Sequence, residues 1–266
     1  MYDVFGNNRH SLGNRTYEEI REVGQQDGSV LIIPVGSIEQ HGHHLPVGTD
    51  TILVAEIANF AADRVTSSVP IIVTPPVWTG HSPHHIPFGG TISLSVETLR
   101  KALIDTADSA LKNGFDAVML LNGHGGNASL INTTTSTIGA NHHDVEVLGL
   151  TYFTLVKPFI DEIRESESGG MAHGGEFETS LMLYLRPELV REDKIQATYM
   201  DEPYEQSGTD LLESGPLSVY RTFDEYSESG VIGDPNLADA EKGATIHERL
   251  GDELEKILID IHEQNS

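Results

Sequence analysis

Residues 29–50 read SVLIIPVGSIEQHGHHLPVGTD, and the fold class can be inferred from them. This stretch begins with the apolar run Ser29–Val35, which is typical of a strand buried on both faces of a parallel sheet. A polar loop rich in imidazole and carboxylate groups follows. Asp50–Val65 then carries apolar residues at helical spacing, as the crossover between parallel strands requires. The stretch therefore predicts the strand–loop–helix unit of an α/β protein.

The same alternation continues along the chain. Further strands are predicted over Val69–Val73, Phe115–Leu121 and Val145–Phe153. Further helices are predicted over Ser95–Asn113, Ala128–Ala140, Thr179–Leu185 and Leu237–His262. Between the last two lies a polar, acidic segment, Glu202–Glu228, which we expect to be an irregular excursion or lid. Because no repeat or linker divides the chain, we expect residues 1–266 to form a single α/β domain.

The charge balance excludes several classes of partner. Lys and Arg number 16 and Asp and Glu number 41 among the 266 residues, giving a net charge of −25. Such a surface repels nucleic acids and anionic membranes, so we expect neither as a partner. The acidic residues are spread along the chain, and concentrated salt would screen their mutual repulsion. This distribution suggests a halophilic protein.

The chain has no Cys, which excludes disulfides, thiolate catalysis and iron–sulfur ligation. A bound metal must therefore be held by His and carboxylate groups. The first residues lack the apolar stretch of a signal peptide, and no run is apolar for the roughly 18 residues that span a bilayer. The sequence thus predicts a cytoplasmic protein.

The loop after the first strand is a candidate metal site. Its chemistry-bearing residues are Glu39, His41, His43, His44 and Asp50. Carboxylate and imidazole together suit zinc, manganese and iron. Glu39 and His41 point to the same side in extended backbone, and Asp50 could complete the ligand set or bridge two ions.

Two later loops follow predicted strands in the same way. NGHGGN, residues 122–127, places His124 among glycines, and AHGGEFETS, residues 172–180, contains His173, Glu176 and Glu178. Ligands of open α/β sheets bind at the carboxyl ends of the strands. His173 could carry a proton and Glu178 could be a carboxylate ligand, with Glu176 as the competing carboxylate.

A fourth loop, residues 78–91, contains Trp78 and the imidazoles of His81, His84 and His85. These side chains could line a pocket, or the loop could be a rigid contact between copies of an oligomer. The sequence leaves both interpretations open.

At these residues the sequence resembles the creatininase (creatinine amidohydrolase) family. The resemblance rests on GSIEQHGHHLPVGTDT (36–51), NGHGGN (122–127), AHGGEFETS (172–180) and GVIGDPNLADAEKG (230–243), in the expected order. It implies a three-layer α/β/α fold with a mainly parallel central sheet. It also implies a homo-oligomer, often a hexamer, with two divalent ions that serve the hydrolysis of a C–N amide bond in a small molecule.

The resemblance also implies roles for individual residues. Glu39, His41, Asp50 and His124 would be metal ligands, with Asp50 as the bridge, and His173 would be the proton carrier. Creatininase itself has a ligating Glu where this chain has Gly126. We expect Glu178 to supply that carboxylate, which makes His173 and Glu178 the expected catalytic residues.

The substrate stays open at this level. Creatinine or another cyclic amide is one candidate. Another is a formamidopyrimidine nucleotide of riboflavin or deazaflavin biosynthesis, which a deformylase would cleave, and a peptidase that trims the mycofactocin precursor is a third family branch. Two non-enzymatic alternatives are a metal-dependent binding protein, which would not need His173, and His-rich loops that only brace oligomer contacts, which would bind no metal.

Overall fold

The structure is a computed structural model that describes residues 10–201, 204, 206–212 and 216–266. Four parallel strands form its central sheet: β1 (Val30–Val35), β2 (Ile71–Val73), β3 (Ala117–Asn122) and β4 (Glu146–Thr151). Their order is β2-β1-β3-β4. The two strands in the middle, β1 and β3, pair from Val30 with Ala117 to Val35 with Asn122.

Six α-helices are described: α1 (Tyr17–Gly24), α2 (Thr49–Val65), α3 (Val96–Ala110), α4 (Ala128–Asn141), α5 (Glu176–Leu185) and α6 (Ala240–Gln264). The side chains of β1 alternate between two cores. Val30 and Ile32 face the core that includes α2, α5 and α6, whereas Leu31 and Ile33 face the core that includes α3 and α4. Burial on both faces explains the continuous apolar runs and confirms the predicted α/β fold with helices on either side of a parallel sheet.

Several predicted elements differ at their ends. The strand predicted to reach Phe153 stops at Thr151, and Tyr152–Val156 turns into a 3-10 helix. Helix α5 begins three residues before the predicted Thr179, and α6 begins at Ala240, where the Asp239 side chain accepts a hydrogen bond from the amide of Lys242.

The segment predicted as an irregular excursion lies partly outside the described residues, at 202–203, 205 and 213–215. Its described part is irregular except for a 3-10 turn, Phe223–Glu225, which Thr222 and Glu225 cap reciprocally. Among the described residues, no helix combines the length and apolarity needed to cross a membrane.

Candidate metal centre

The loops that follow β1 and β3 meet at one edge of the sheet. Val35 pairs with Asn122 at the last register position, so Glu39 and His124 come from neighbouring loops. The Asn122 side chain fixes the second loop, because its Nδ2 donates to the His124 carbonyl (2.7 Å) and its Oδ1 accepts from the His124 amide (3.1 Å). The pairing of β1 with β3 therefore brings the side chains of Glu39 and His124 together at the carboxyl end of the sheet.

Asp50 reaches the same place from the first turn of α2. Between Asn122 and His124, Gly123 lies directly against this helix. A Cβ at position 123 would stand 2.7 Å from Cβ of Val54 and 3.0 Å from the carbonyl oxygen of Asp50. Only glycine allows the loop after β3 to approach α2 this closely.

Glu39, Asp50 and His124 form one buried group of possible ligands. Nδ1 of His124 lies 3.1 Å from Oε2 of Glu39 and 3.1 Å from Oδ2 of Asp50. The three donor atoms lie within 4.8 Å of one another. Two carboxylates and one imidazole at this spacing can hold a divalent cation.

His41, His173 and Glu178 form a second buried group, on the other side of Asp50. Nε2 of His41 lies 3.0 Å from Oδ1 of Asp50 and 3.6 Å from Oε1 of Glu178. The two oxygens of Asp50 therefore face different groups. This arrangement makes Asp50 the candidate bridge between two ions.

The donor set fits a cation. Glu39, Asp50 and Glu178 are all buried, at 1%, 2% and 4% exposure, and three buried carboxylates demand positive charge. Oδ2 of Asp50 accepts no hydrogen bond from the described residues, although His124 lies close to it. A buried carboxylate oxygen that faces two other ligand groups without a bonded donor is what a metal position requires.

The pKa values show how strongly this cluster attracts positive charge. Burial by itself would lower the pKa of His124, but the carboxylates of Glu39 and Asp50 raise it to about 10. Burial would likewise lower the pKa of His41, yet Asp50 and Glu178 hold it well above its usual value. Burial disfavours the ionised form of Glu39, but His124 and His85 keep its pKa well below the usual range.

The structure distinguishes between the two candidate carboxylates of α5. Glu176 points away from the site, where its carboxylate accepts from the amides of Glu165 (3.0 Å) and Ser166 (2.9 Å) and pairs with the buried Lys242. Glu178 faces His41, and its Oε2 accepts from the Gly174 amide at 2.6 Å. Only Glu178 is placed to act as a ligand.

Gly126 occupies the place where the resemblance predicts a ligating Glu. A Cβ at this position would overlap Nε2 of His124 and would stand 3.0 Å from Cε1 of His84. A side chain at position 126 would therefore require His124 to move. The carboxylate of Glu178 approaches the site from α5 instead.

His173 is buried beside Glu39 and His41. Its Nε2 donates to the Gln40 carbonyl at 2.7 Å, so in the neutral ring Nδ1 carries no proton, and Nδ1 lies 3.8 Å from Oε1 of Glu39. Burial and the neighbouring His41 and His85 hold the pKa of His173 well below its usual value. His173 is therefore a neutral imidazole with an unprotonated nitrogen toward the site.

His85 contributes more to the site than the sequence could indicate. Its Nε2 lies 3.2 Å from Oε1 of Glu39, and Glu39, His85 and His173 form a third close group. His84 and His85 also line the cavity, and the ring of Phe223 covers His85 at 4.2 Å between centroids. These contacts show that His84 and His85 lie in a pocket. From the sequence alone, a pocket and an oligomer contact were both possible.

The remaining imidazoles of the first loop lie outside these groups. His43 is exposed. His44 is buried, and its Nε2 lies 2.9 Å from Oγ1 of Thr179. Burial and the nearby His41 lower the pKa of His44 to about 4, so it joins the loop to α5 as a neutral side chain.

Comparison with known proteins places this geometry in a family. Residues 13–258 match the creatininase family, described as creatinine amidohydrolase. A mycofactocin precursor peptide peptidase of Mycobacterium ulcerans is 32% identical over 228 residues, which are 84% of this chain and 82% of the relative. A 3-dehydro-scyllo-inosose hydrolase of Thermotoga maritima is 30% identical over 94% of this chain and 82% of its own length.

A solved structure supports the same assignment. The structure described as "Creatininase Mn" has a TM-score of 0.81 and 27% sequence identity, and the match covers 96% of this chain and 98% of that one. The matched residues 13–258 include all of the side chains described above. The chain therefore belongs to the creatininase family of metal-dependent amidohydrolases.

Proposed function

We propose that this protein hydrolyses a C–N amide bond of a small molecule at a site for two divalent ions. The observation that carries the proposal is Asp50, whose two oxygens face two different groups of possible ligands. In this proposal Glu39 and His124 would hold one ion, His41 and Glu178 would hold the other, and Asp50 would contribute to both. Manganese, zinc and iron all suit such a set of oxygen and nitrogen ligands.

Divalent ions at this position supply Lewis-acid activation of water and of the amide carbonyl. Proton transfer would be carried out by a side chain of the protein. His173 is neutral and offers Nδ1 toward the site, so it can accept the proton that the attacking water loses. It can then give this proton to the nitrogen as the C–N bond breaks.

Two neighbours keep His173 in the correct form for this role. The Gln40 carbonyl accepts from Nε2, which fixes the tautomer, and Phe223 packs against the ring with centroids 5.1 Å apart. An aromatic side chain over the imidazole limits access of bulk water to the proton path.

The cavity size favours a substrate larger than one small ring. Its volume is about 430 Å³, and it extends from Glu39 and Glu178 to Leu217 and Val219 in the irregular segment. Cavities of this size commonly hold drug-sized ligands. A short peptide amide is therefore a second candidate substrate, and the similarity to a peptidase that acts on a precursor peptide supports it.

The test is a product assay with metal-loaded protein. Creatinine, formamides and short peptides are incubated with the protein in molar salt, with and without a chelator, and the products are identified by mass spectrometry. We expect cleavage of a C–N bond that the chelator abolishes. A protein that binds metal but cleaves no member of the panel would support the non-catalytic binding alternative.

The variant His173→Asn tests whether the protein is an enzyme or a metal-dependent binding protein. We expect a loss of at least ~100-fold in kcat, because the proton carrier is removed, with the metal content unchanged. His142→Asn, which changes an imidazole outside the cavity, is the matched control. Loss of metal in His173→Asn would instead make His173 a ligand and would contradict its role as a proton carrier.

A further inference from the structure

Among the described residues that line the cavity, Arg221 is the only Lys or Arg. The acidic groups of the lining are already engaged. Glu39, Asp50 and Glu178 form the metal centre, and Asp210 pairs with Arg164. Arg221 therefore introduces a positive charge into a cavity whose own carboxylates are used elsewhere.

Arg221 has no carboxylate partner within the part of the chain that the structure describes. Arg21 and Arg100 also lack such a partner among the described residues, but neither lines the cavity, whereas Arg221 does. Some arginines outside the cavity do pair with carboxylates. Arg64, for example, pairs with three carboxylates, those of Glu248, Asp252 and Glu255. The N–H groups of the Arg221 guanidinium are therefore available to bind a group on a ligand in the cavity.

Two aromatic rings hold this guanidinium. Cζ of Arg221 lies 5.7 Å from the ring centroid of Tyr204 and 5.6 Å from that of Tyr226. Both tyrosines also line the cavity. Aromatic faces restrain a guanidinium without using its N–H donors, so the side chain is ordered in advance and can still bind a planar or tetrahedral anion.

We propose that Arg221 binds an anionic group, a carboxylate or a phosphate, on the substrate whose amide lies at the metal centre. The proposal rests on the proposed function, because the metal centre orients the other end of the substrate. The hydroxyl groups of Ser207, Thr209 and Ser218 also line the cavity and can complete the hydrogen bonding of such a group. Arg221 is thus a specificity-determining residue that selects charged amides over neutral ones.

The experiment uses matched pairs of small amides that differ in one charge. N-formylglycine is compared with N-formylglycinamide, and N-formyl-O-phosphoethanolamine is compared with N-formylethanolamine. Binding to the metal-loaded full chain is measured by calorimetry at fixed salt, and turnover is measured on the same samples. We expect the anionic member of at least one pair to bind about tenfold more tightly in the wild type, and the pair with the larger ratio identifies carboxylate or phosphate.

Arg221→Met should remove this preference by weakening binding of the anionic member about tenfold, while binding of the neutral member and the metal content stay unchanged. Arg221→Lys should keep part of the preference, because it keeps the charge but loses the planar fork. Arg21→Met on α1 removes an equal charge outside the cavity lining and should leave binding of both members unchanged.

Equal binding of charged and neutral members in the wild type would overturn the inference. A charge preference that persists in Arg221→Met would also overturn it, since the metal centre alone would then select the anion. Charge-selective binding through Arg221 without turnover of either pair or of the wider amide panel would support the anion site and contradict the proposed hydrolase function. The two failures are therefore distinguishable.

Discussion

At the scale of single residues, the residue pattern predicts the composition of the site but leaves Glu176 and Glu178 as competing carboxylates, and the preference for Glu178 comes only with the family resemblance. Glu176 and Glu178 both lie in the first turn of α5. Two positions along a helix differ by about 200° around its axis, so the two side chains point in nearly opposite directions. Lys242, which engages Glu176, comes from a helix 66 residues further along. No local pattern contains that contact, whereas the carboxylates and imidazoles of residues 39–50 are adjacent in the chain.

Ser82 is a residue whose importance only the fold reveals. Its hydroxyl donates to Oε2 of Glu39 at 2.5 Å and lies 3.1 Å from Nε2 of His124. Both partners are proposed ligands of the same ion. Outer contacts of this kind orient the ligands of a metal.

We predict that Ser82→Ala weakens metal binding about 10–100-fold, the usual cost of losing such an outer partner. Titration of the metal-free protein with Mn²⁺ or Zn²⁺, followed by calorimetry, measures the effect. Ser136→Ala, on the exposed face of α4, serves as the control. An unchanged affinity in Ser82→Ala would contradict the assignment of Glu39 and His124 to one ion.

A second prediction at this scale concerns protons. The pKa of His124 is raised to about 10 before an ion is bound, so this imidazole carries a proton at neutral pH. A metal ion needs the neutral imidazole and must displace that proton. The apparent metal affinity should therefore rise with pH below about 10, by up to about tenfold per pH unit for each proton released.

Calorimetry at pH 7 in buffers with different ionisation enthalpies counts these protons. We expect at least one proton to be released per chain on metal binding, and fewer in His124→Asn. Metal binding without proton release would show that His124 is not protonated beside Glu39 and Asp50.

At the scale of elements, the strands and most helices follow from local patterns. All six residues of β1 and of β3 are buried, and their apolar runs are readable in the sequence. Helix α1 is absent from the sequence prediction, although Thr16 and Glu19 form a capping box that indicates a helix start. The 3-10 turn at Tyr152–Val156 could not be predicted, because it depends on burial of Tyr152 and Phe153 in a core built from distant helices.

The contact between α5 and α6 supports the site, since α5 carries Glu178. It depends on Gly243, where an added Cβ would overlap the Ser180 carbonyl and lie 2.9 Å from Cβ of Tyr184. We predict that Gly243→Ala lowers the free energy of unfolding by about 1–3 kcal/mol through overpacking.

Gly139→Ala is the matched control within a helix. A Cβ there would lie 3.8 Å from Val147, an ordinary contact, so the better helix propensity of alanine should leave stability unchanged or raise it by up to about 1 kcal/mol. Chemical denaturation of both variants gives the comparison. Equal changes in the free energy of unfolding for the two variants would mean that the close contact between α5 and α6 does not require glycine at position 243.

At the scale of the whole molecule, the sequence predicted a parallel sheet but could not order its strands. The order β2-β1-β3-β4 places β1 beside β3, although the paired residues Val35 and Asn122 are 87 positions apart in the chain. Local patterns contain no information about such neighbours. It is this order that brings the loops of Glu39 and His124 together.

The net charge of −25 leads to a prediction for the whole chain. Salt screens repulsion between exposed carboxylates, so we predict that the unfolding temperature rises between 0.05 M and 2 M KCl. A variant with Glu22→Gln, Asp260→Asn and Glu263→Gln, which neutralises three exposed acidic residues, should show a smaller rise. An unfolding temperature that is independent of salt would contradict the proposed salt adaptation.

If Asp50 joins two metal positions, the number of bound ions must depend on it. Elemental analysis of metal-replete protein should give two divalent ions per chain. Asp50→Asn should hold none, and Asp63→Asn, an exposed change on the same helix, should hold two. One ion or none in the folded wild type, or both ions retained in folded Asp50→Asn, would show that Asp50 does not join two metal positions.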